Sequence, residues 1–454
     1  MQGLVKTYND SPLGQENPID EDEFITFIKG MGTDHANDQK KLARLVNSWI
    51  TNAHKIVLGK RFLLNTDLQH YLPQIALFND EKIAAAGGLA AWNSLTVVEQ
   101  TERDIEVCRK LFAFFGESEW QGLSMQQRLD TESLVWCGCC MHKEMNSVKG
   151  GVRGMSFFWE TLGGPAPIKL FNKANDAAVS KSAAGSAVAE HAIEVSEGGA
   201  VKLTSLIGAA FNHKDQKKGQ QDTFKLYFEE YLGYPISCPD TSNSRFQCHC
   251  DCAVFIILYL PQILDFMTHI MYSKSKIGLN HLEVNIVQGL KDLPTLTEMM
   301  VLALYAISVS YGVIAFCESI SANPDLLLAP DASWKTGTLD GQPWEHPEVF
   351  YAIQRLATGL PHLTNCLKVF MTGAVDTWKR FGDEYAADGP IARLSPAARA
   401  KIYINPTNDH NEGALGRLPR NRNNPNSQDR HLGGAAHQSH KPRSISDDYL
   451  ISNV

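Results

Sequence analysis

Two polar motifs that lie far apart in the sequence each offer a carboxylate that could bind a metal ion. The first lies at residues 30–39, where Asp34 precedes the expected start of a helix. A carboxylate in that position can cap the helix or ligate a divalent cation, and capping is the commoner role of such an Asp. The second is the Asn-rich run at 404–416, whose Glu412 enters what could be a short helix. Alone, Glu412 is most simply a solvated turn residue, although the polar run would also suit a helix entry that offers one carboxylate to a metal.

Two clusters of cysteine and histidine offer a second kind of chemistry, the binding of zinc. In the first, at 137–142, Cys139 and His142 are three positions apart and would share one face of a helix. The second, at 248–252, alternates cysteine with other residues, which suits a loop or an extended segment better than a pair of helical ligands. The clusters do not supply the two C-x-x-C pairs of a typical zinc site, since only Cys137 and Cys140 have that spacing. The alternative is a set of free, buried cysteines in a reducing compartment.

The composition is that of a globular protein with a large core. Of the 454 residues, 44% are hydrophobic, 20% are charged, and ten are cysteines. So few cysteines cannot form a disulfide scaffold in a chain of this length, and we expect a reducing compartment, the nucleus or the cytosol. The net charge of −8 argues against a uniformly nucleic-acid-binding surface but allows a local basic channel.

Helical periodicity dominates the elements that must position these motifs. Apolar residues recur on one helix face through Leu42, Leu45, Val46 and Trp49, and this predicts a helix after Asp34. Further helices are expected at 50–130, 200–235, 244–316 and 348–383. The expected interruptions are an acidic, loop-like N-terminus at 1–30, a break at the glycines of 150–154, a linker or small-residue helix at 177–200, and a loop at 324–347. Residues 1–29 show no secretory signal.

Two apolar runs, at 252–272 and 301–317, could be mistaken for membrane spans. The first contains Pro261, Asp265 and His269. The second is slightly shorter than the roughly 20 residues that a span requires. Both are interpreted as buried helices of a large helical domain, so no membrane partner is expected.

The order of the motifs resembles the hAT-like transposases, including fungal (basidiomycete) elements of the Kyakuja, Dileera and Zisupton type. The family's Thr-Asp-Asn-Ala-like motif is matched by Thr-Asp-His-Ala at 33–36, and its Cys-x-x-His-x-Leu-Asn motif by 139–146, with Met145 replacing Leu and one extra residue. The family's Thr-Arg-Trp-x-Ser signature is matched in diverged form at 244–248, where Arg245 corresponds to its Arg. The family's polar stretch with the last catalytic Glu is matched at 406–412.

The resemblance implies a predominantly α (α+β) fold, in which a partial RNase H-like core is interrupted by a large helical insertion domain. The core would occupy 1–150 and carry the first two motifs. The insertion domain would follow at 151–395. A core segment at 396–420 would carry Glu412, and a disordered basic tail would end the chain at 421–454.

The implied chemistry is divalent-metal-dependent cleavage and strand transfer of DNA. In such sites three carboxylates hold two Mg²⁺ or Mn²⁺ ions, which activate the attacking hydroxyl and stabilise the leaving oxygen. By resemblance, Asp34 and Glu412 are two of these catalytic metal ligands and should converge in the fold. Cys139 and His142 would orient the core or the target nucleotide.

The first catalytic Asp of the family has no clear match. It should lie on an opening strand some tens of residues before Asp34, but Asp10, Asp20 and Asp22 do not lie in an apolar β-pattern. We therefore expect an N-terminally truncated core, catalytically incomplete, and an inactive or strongly impaired enzyme.

DNA is the partner that the resemblance implies, and a nuclear location follows, with the cytoplasm as the alternative. Candidate DNA-binding residues come from a basic patch and from the tail: Lys214, Lys217, Lys218, Arg417, Arg420 and Arg422. A homo-oligomer is left open. Two competing hypotheses are a non-enzymatic helical protein that binds DNA or protein, and a structural zinc protein that uses the cysteine clusters.

Overall fold

A computed structural model describes residues 2–132, 134–183, 185–213, 219–241, 247–309, 313–338, 341–344 and 346–405. It is predominantly helical, as the sequence predicts. The chain divides into two compact units, and the first unit is discontinuous, since it combines Met1–Cys140 with Gly382–Val454. The second unit is Met141–Phe381. The limits expected from the sequence lay at 150 and 395.

The first part of the chain surrounds two short strands with helices. Its elements are α1 (Gln2–Asn9), α2 (Pro12–Glu16), α3 (Glu21–Thr26), β1 (Gly30–Thr33), α4 (Asn37–Asn65), α5 (Leu68–Ala85), α6 (Leu89–Asn93), α7 (Val97–Gly122), α8 (Met125–Glu132) and β2 (Val135–Gly138). The helix predicted after Asp34 is confirmed as α4.

The prediction of a loop-like N-terminus is wrong, because its acidic run starts a helix. The Asp20 side chain caps α3 by accepting the Glu23 N–H at 3.0 Å. The three acidic residues that follow lie in the first turn, where they interact favourably with the helix dipole. Ile25 of α3 is fully buried against Ile50 and Ala53 of α4, which ties this segment to the first unit.

The long helices α4 and α7 cross at glycines. A Cβ on Gly59 would overlap the Phe112 carbonyl oxygen, and a Cβ on Gly116 would overlap the Lys55 carbonyl oxygen. The two backbones can approach so closely only because neither position carries a side chain.

The second unit contains a continuous hydrophobic core. Its helices are α9 (Cys140–Leu162, whose first residue belongs to the first unit), α10 (Lys173–Lys181), α11 (Ala187–Glu194), α12 (Gly199–Phe211), α13 (Gln221–Leu232), α14 (Gln247–Leu258), α15 (Leu260–Ser273), α16 (His281–Lys291), α17 (Leu293–Ser308), α18 (Val313–Ala322), α19 (Asp325–Leu328), α20 (Trp334–Gly337), α21 (Pro347–Ala357) and α22 (Leu363–Phe381). Helices α10 and α11 favour the small-residue helix over the linker at 177–200, and α19 and α20 lie within the expected loop at 324–347.

The glycines at 150–154 do not break a helix, contrary to expectation. Helix α9 runs through them, because they form its contact with α22. A Cβ on Gly154 would lie 2.5 Å from the Val369 carbonyl oxygen, and a Cβ on Gly151 would lie 2.5 Å from the Phe370 ring. Close helix packing explains why glycine stands at these positions.

The alternating cysteines of the second cluster are helical, which corrects the expectation of a loop. They lie in the first two turns of α14, and Cys250 and Cys252 face the core. Burial of the helix outweighs the alternating pattern. Within the described ranges, no single helix has the length and apolarity to cross a membrane, although Cys248–Leu258 and Leu260–Ser273 meet those criteria jointly as a pair bent by 83°.

The chain returns to the first unit through a short 3-10 helix (Asp383–Tyr385) and α23 (Pro396–Arg399). Leu394 packs with Val135 and Cys137 of β2, and Ile402 and Ile404 pack against the same cluster. The returning segment therefore covers one face of the two strands.

Candidate functional site

The two strands bring Asp34 and Cys139 to the same edge. Strands β1 and β2 are parallel, with Thr33 opposite Gly138, so their carboxyl ends lie side by side. Asp34 follows β1, Cys139 follows β2, and the Cys139 N–H donates to the Thr33 carbonyl at 2.7 Å. The carboxyl edge of parallel strands is a common place for ligand sites in α/β sheets.

The Asp34 side chain shapes the turn before α4. Its Oδ1 accepts the Ala36 N–H at 3.0 Å, which is the pattern of an Asx turn. The N-cap of α4 is Ala36, and no side chain caps it, so Asp34 does not cap the helix directly. Within the described ranges the other carboxylate oxygen makes no hydrogen bond, and the residue is half-buried. One oxygen is therefore available to a ligand.

An aromatic cluster that the sequence did not indicate lies beside Asp34. The Trp136 Nε1 donates to the Thr33 hydroxyl at 2.8 Å. The His35 ring meets Trp136 edge-on at 5.4 Å, and the Lys40 ammonium lies 5.6 Å from the centre of the Trp136 ring. These contacts hold the Thr33-Asp34-His35 turn against the second strand.

Glu384 is a buried carboxylate that the sequence also failed to indicate. It is 4% exposed, and its Oε1 accepts the Gly138 N–H at 2.9 Å. Successive N–H groups of a strand point to opposite sides, and the Cys139 N–H points to β1, so Glu384 lies on the far side of β2 from β1. It occupies an edge that another strand would otherwise pair.

The returning segment passes over the face of β1 to which the Cβ positions of Gly30 and Gly32 point. A Cβ on Gly30 would lie 2.6 Å from Ile404 Cγ1 and 3.5 Å from Ile402 Cγ2. A Cβ on Gly32 would lie 3.2 Å from Ile404 Cγ2 and 3.7 Å from the Asn405 carbonyl oxygen. From Ile402 to Asn405 the chain thus advances from the start of β1 toward the end that carries Asp34.

Cys139 and His142 do not share a helix face, because α9 begins only at Cys140. Cys139 is a free thiol, 3% exposed. His142 lies in the second unit, where its buried Nδ1 has no hydrogen-bond partner in the part of the chain that the structure describes. The motif is therefore divided between the end of a strand and the start of a helix.

The second cysteine cluster is built into the core of the second unit. Burial raises the pKa of the Cys250 thiol, and the adjacent Cys238 and burial raise that of Cys252. His249 Nδ1 lies 2.8 Å from the Thr204 hydroxyl. Across the described ranges, no group of three or more His, Cys, Asp or Glu side chains is placed to hold a metal ion.

The other predicted site residues lie outside the described residues. They are Glu412, Arg245, Lys214, Lys217, Lys218, Arg417, Arg420 and Arg422. The predicted disordered tail at 421–454 lies outside them as well.

Comparison of the chain with protein-family models, with curated proteins and with solved structures gives no match.

Proposed function

We propose that this chain derives from a DDE-type transposase, with a partial RNase H-like core that a helical insertion interrupts. Its ancestral reaction would be divalent-metal-dependent cleavage and strand transfer of DNA. The observation that carries the proposal is the path of the returning segment, which leads from the start of β1 toward Asp34. The run that contains Glu412 continues from that point.

Chain length allows the convergence that this function requires. Glu412 follows Asn405 by seven positions, and an extended chain of that length spans at most about 25 Å. Between the two carboxylates the sequence forms a complete unit, Met141–Phe381. An active site made from the two ends of an interrupted core would need such a division of the chain.

The ligand types fit a hard divalent cation, such as Mg²⁺ or Mn²⁺, rather than a soft one. Asp34 keeps one carboxylate oxygen outside its Asx turn, and Glu412 would supply a second carboxylate. When bound, the metal would polarise the scissile phosphodiester and lower the pKa of an attacking water. Asp34, held by its turn to Ala36, would fix the position of the ion at the strand ends.

The aspartates that precede Asp34 support the proposal of an incomplete site. Asp20 and Asp22 both bond the Lys60 ammonium, at 2.8 and 3.2 Å, and Asp10 follows the end of α1. None of them lies on a strand of the described chain. With two of three carboxylates, we expect weak metal binding and little or no cleavage of DNA.

Iron-directed cleavage of the protein itself tests this proposal without requiring enzymatic activity. Fe²⁺ replaces Mg²⁺, and ascorbate with peroxide then generates radicals that cut the backbone near the ion. We expect cuts close to both Asp34 and Glu412, suppressed by excess Mg²⁺. Cuts near only one of the two, or cuts that Mg²⁺ does not suppress, would overturn the convergence.

Two substitutions sharpen the test. Asp34→Asn keeps the oxygen that the Ala36 N–H uses but removes the charge, so it should abolish cutting at both places. Asp38→Asn, in the exposed first turn of α4, should leave the pattern unchanged. Equal loss in both variants would indicate a general charge effect.

A non-enzymatic helical protein that binds DNA is the second candidate. It is favoured by Asp20 and Asp22, because their bonds to Lys60 leave them unsuited to ligate metal. This candidate predicts DNA binding without any metal-dependent cutting. The binding should weaken steeply as salt rises, and binding that is insensitive to salt would exclude it.

A further inference from the structure

Basic side chains from three segments of the first unit lie near the amino end of β1. The Lys29 ammonium, just before β1, lies 3.2 Å from Nε2 of His54 in α4. At that distance a neutral His54 accepts a hydrogen bond from the ammonium, which leaves Lys29 with two N–H groups for another partner. Both residues are half-buried.

Lys401 reaches the same place from the returning segment. Its neighbour Ile402 packs beside the Cβ position of Gly30, and Lys29 precedes Gly30 in the chain. Burial lowers the pKa of Lys29, and the positive charge of Lys401 lowers it further. The two ammonium groups therefore act on each other across the start of the strand.

Arg61 extends the cluster along α4. It lies seven positions, about two helical turns, beyond His54 and thus on the same helix face. Burial lowers the pKa of His54 to about 4, with further contributions from Lys29 and Arg61. His54 is therefore neutral at pH 7, chiefly because it is buried and to a smaller extent because of its cationic neighbours. Arg61 and Lys401 are both exposed, so the cluster is open to solvent.

None of the three cations of the cluster is neutralised by a close ion pair within the described residues. In the described part of the chain, Lys29, Arg61 and Lys401 make no ion pair with a carboxylate within 4.0 Å. The charge of Lys401 affects the carboxylate of Asp130: the hydrogen bond from the Ser395 N–H at 3.0 Å lowers its pKa most, and Lys401 lowers it slightly further without forming an ion pair within the described ranges. Like charges disfavour one another, here most of all at the half-buried Lys29, and an anion between them would relieve that repulsion.

We propose that Lys29, His54, Arg61 and Lys401 form a phosphate-binding site at the amino end of β1. A phosphate group suits them because its oxygens can accept from several donors at once, including the planar guanidinium. That the phosphate belongs to a DNA backbone rests on the proposed function. The four residues of β1 separate the site from Asp34 by about 13 Å, so one DNA strand could contact both places. Such a contact would position the strand and would not read its sequence.

The first test follows the His54 imidazole by NMR of ¹³C-labelled histidine, assigned with His54→Gln. Inorganic phosphate should raise the pKa of His54 from about 4 toward its ordinary value, because a bound anion favours the imidazolium. The paired substitution Lys29→Gln with Lys401→Gln should weaken this binding by about ten-fold or more. Phosphate that leaves the titration of His54 unchanged would overturn a free-phosphate site.

The second test measures binding of a duplex oligonucleotide as salt is varied. Each lysine that contacts a phosphate should lower the salt slope by about one when it is replaced by Gln. Lys6→Gln, on the exposed face of α1, is the matched control and should leave the slope unchanged.

The two tests separate the site from the proposed function. A response of His54 to phosphate without DNA binding would keep the site and count against the DNA function. If replacing Lys29 and Lys401 leaves the salt slope of DNA binding unchanged and phosphate leaves the pKa of His54 unchanged, the proposed phosphate site is wrong. The transposase proposal would stand.

Discussion

The His35 imidazole occupies the space that a side chain on residue 138 would need. A Cβ built on Gly138 would overlap Cε1 and Nε2 of His35 and would lie 2.7 Å from its Nδ1. The ring also meets Trp136 edge-on at 5.4 Å. The histidine of the Thr-Asp-His-Ala motif therefore requires the glycine of the Cys-Gly-Cys motif, and the two motifs are coupled across the strands.

Gly138→Ala should expel His35 from this position. The added methyl overpacks the site, and we expect the free energy of unfolding to fall by about 1–3 kcal/mol, measured by urea denaturation. The Asp34 turn would shift with the ring, so iron-directed cutting near Asp34 and Glu412 should also weaken.

Two comparisons make this prediction specific. Gly122→Ala, at the end of α7, meets no atom within 4 Å and should leave stability unchanged or slightly higher. His35→Ala combined with Gly138→Ala should recover much of the loss, because the methyl then meets empty space. If the double variant loses as much unfolding free energy as the two single variants lose in sum, the two positions are not coupled.

Gly154→Ala tests the contact between α9 and α22. Its Cβ would lie 2.5 Å from the Val369 carbonyl oxygen, and backbone cannot move aside as a side chain can. We expect a loss of about 1–3 kcal/mol in unfolding free energy. Gly164→Ala, whose Cβ would meet only Leu162 at 3.6 Å, is the control. If the two variants are equally stable, the glycines do not serve helix packing.

The helical character of the chain could be predicted because it follows from apolar periodicity. The repeat through Leu42 and Trp49 predicted α4, and the pair at 348–383 became α21 and α22. Two of the errors share one cause. The alternating cysteines and the glycines at 150–154 were judged by local preference, whereas packing against distant helices decides their conformation.

The candidate site was predictable only in part. The sequence indicated Asp34 and Cys139, because polar motifs after apolar segments stand out. Nothing local indicated Glu384, since its partner Gly138 lies far away in the sequence. His35 was visible within the motif, but its dependence on Gly138 arises only when β1 and β2 pair.

The free cysteines should differ widely in their reactivity. Cys108 is exposed, whereas burial raises the pKa of Cys317 and of Cys366 to about 12. A thiolate is the reactive form, so iodoacetamide at pH 8 should modify Cys108 first and spare the two buried thiols until the protein unfolds. Mass spectrometry of the digested protein measures this order.

Cys108→Ser provides the control for thiol labelling. It should remove the fast phase of modification and leave the slow phases as they are. Rapid modification of Cys317 or Cys366 in folded protein would mean that the core of the second unit opens readily.

Glu298 should make the second unit less stable as pH rises. It accepts the Ala200 N–H at 2.9 Å and the Trp159 Nε1–H at 3.0 Å, yet burial outweighs these bonds and raises its pKa to about 7. The folded state therefore holds a proton that the unfolded state releases above its ordinary value of 4.5. Between pH 4.5 and about 7 the folded state binds more protons than the unfolded state, so the free energy of unfolding falls as pH rises through that range. Above about pH 7 both states are deprotonated, and the contribution of this group no longer changes.

Glu298→Gln should remove that dependence. The amide cannot accept both N–H donors, so the variant loses some stability at every pH, but the difference from the wild-type protein should shrink by on the order of 2 kcal/mol between pH 5 and pH 8. Urea unfolding followed by tryptophan fluorescence measures this difference, since Trp159 touches the carboxylate.

The other titrating groups do not obscure the comparison. Glu144, whose burial raises its pKa to about 8, contributes equally to both proteins, so its contribution cancels. Glu160→Gln, exposed on α9, should show no such change. A constant difference between Glu298→Gln and the wild-type protein across this range would mean that Glu298 is already ionised in the folded core at pH 5.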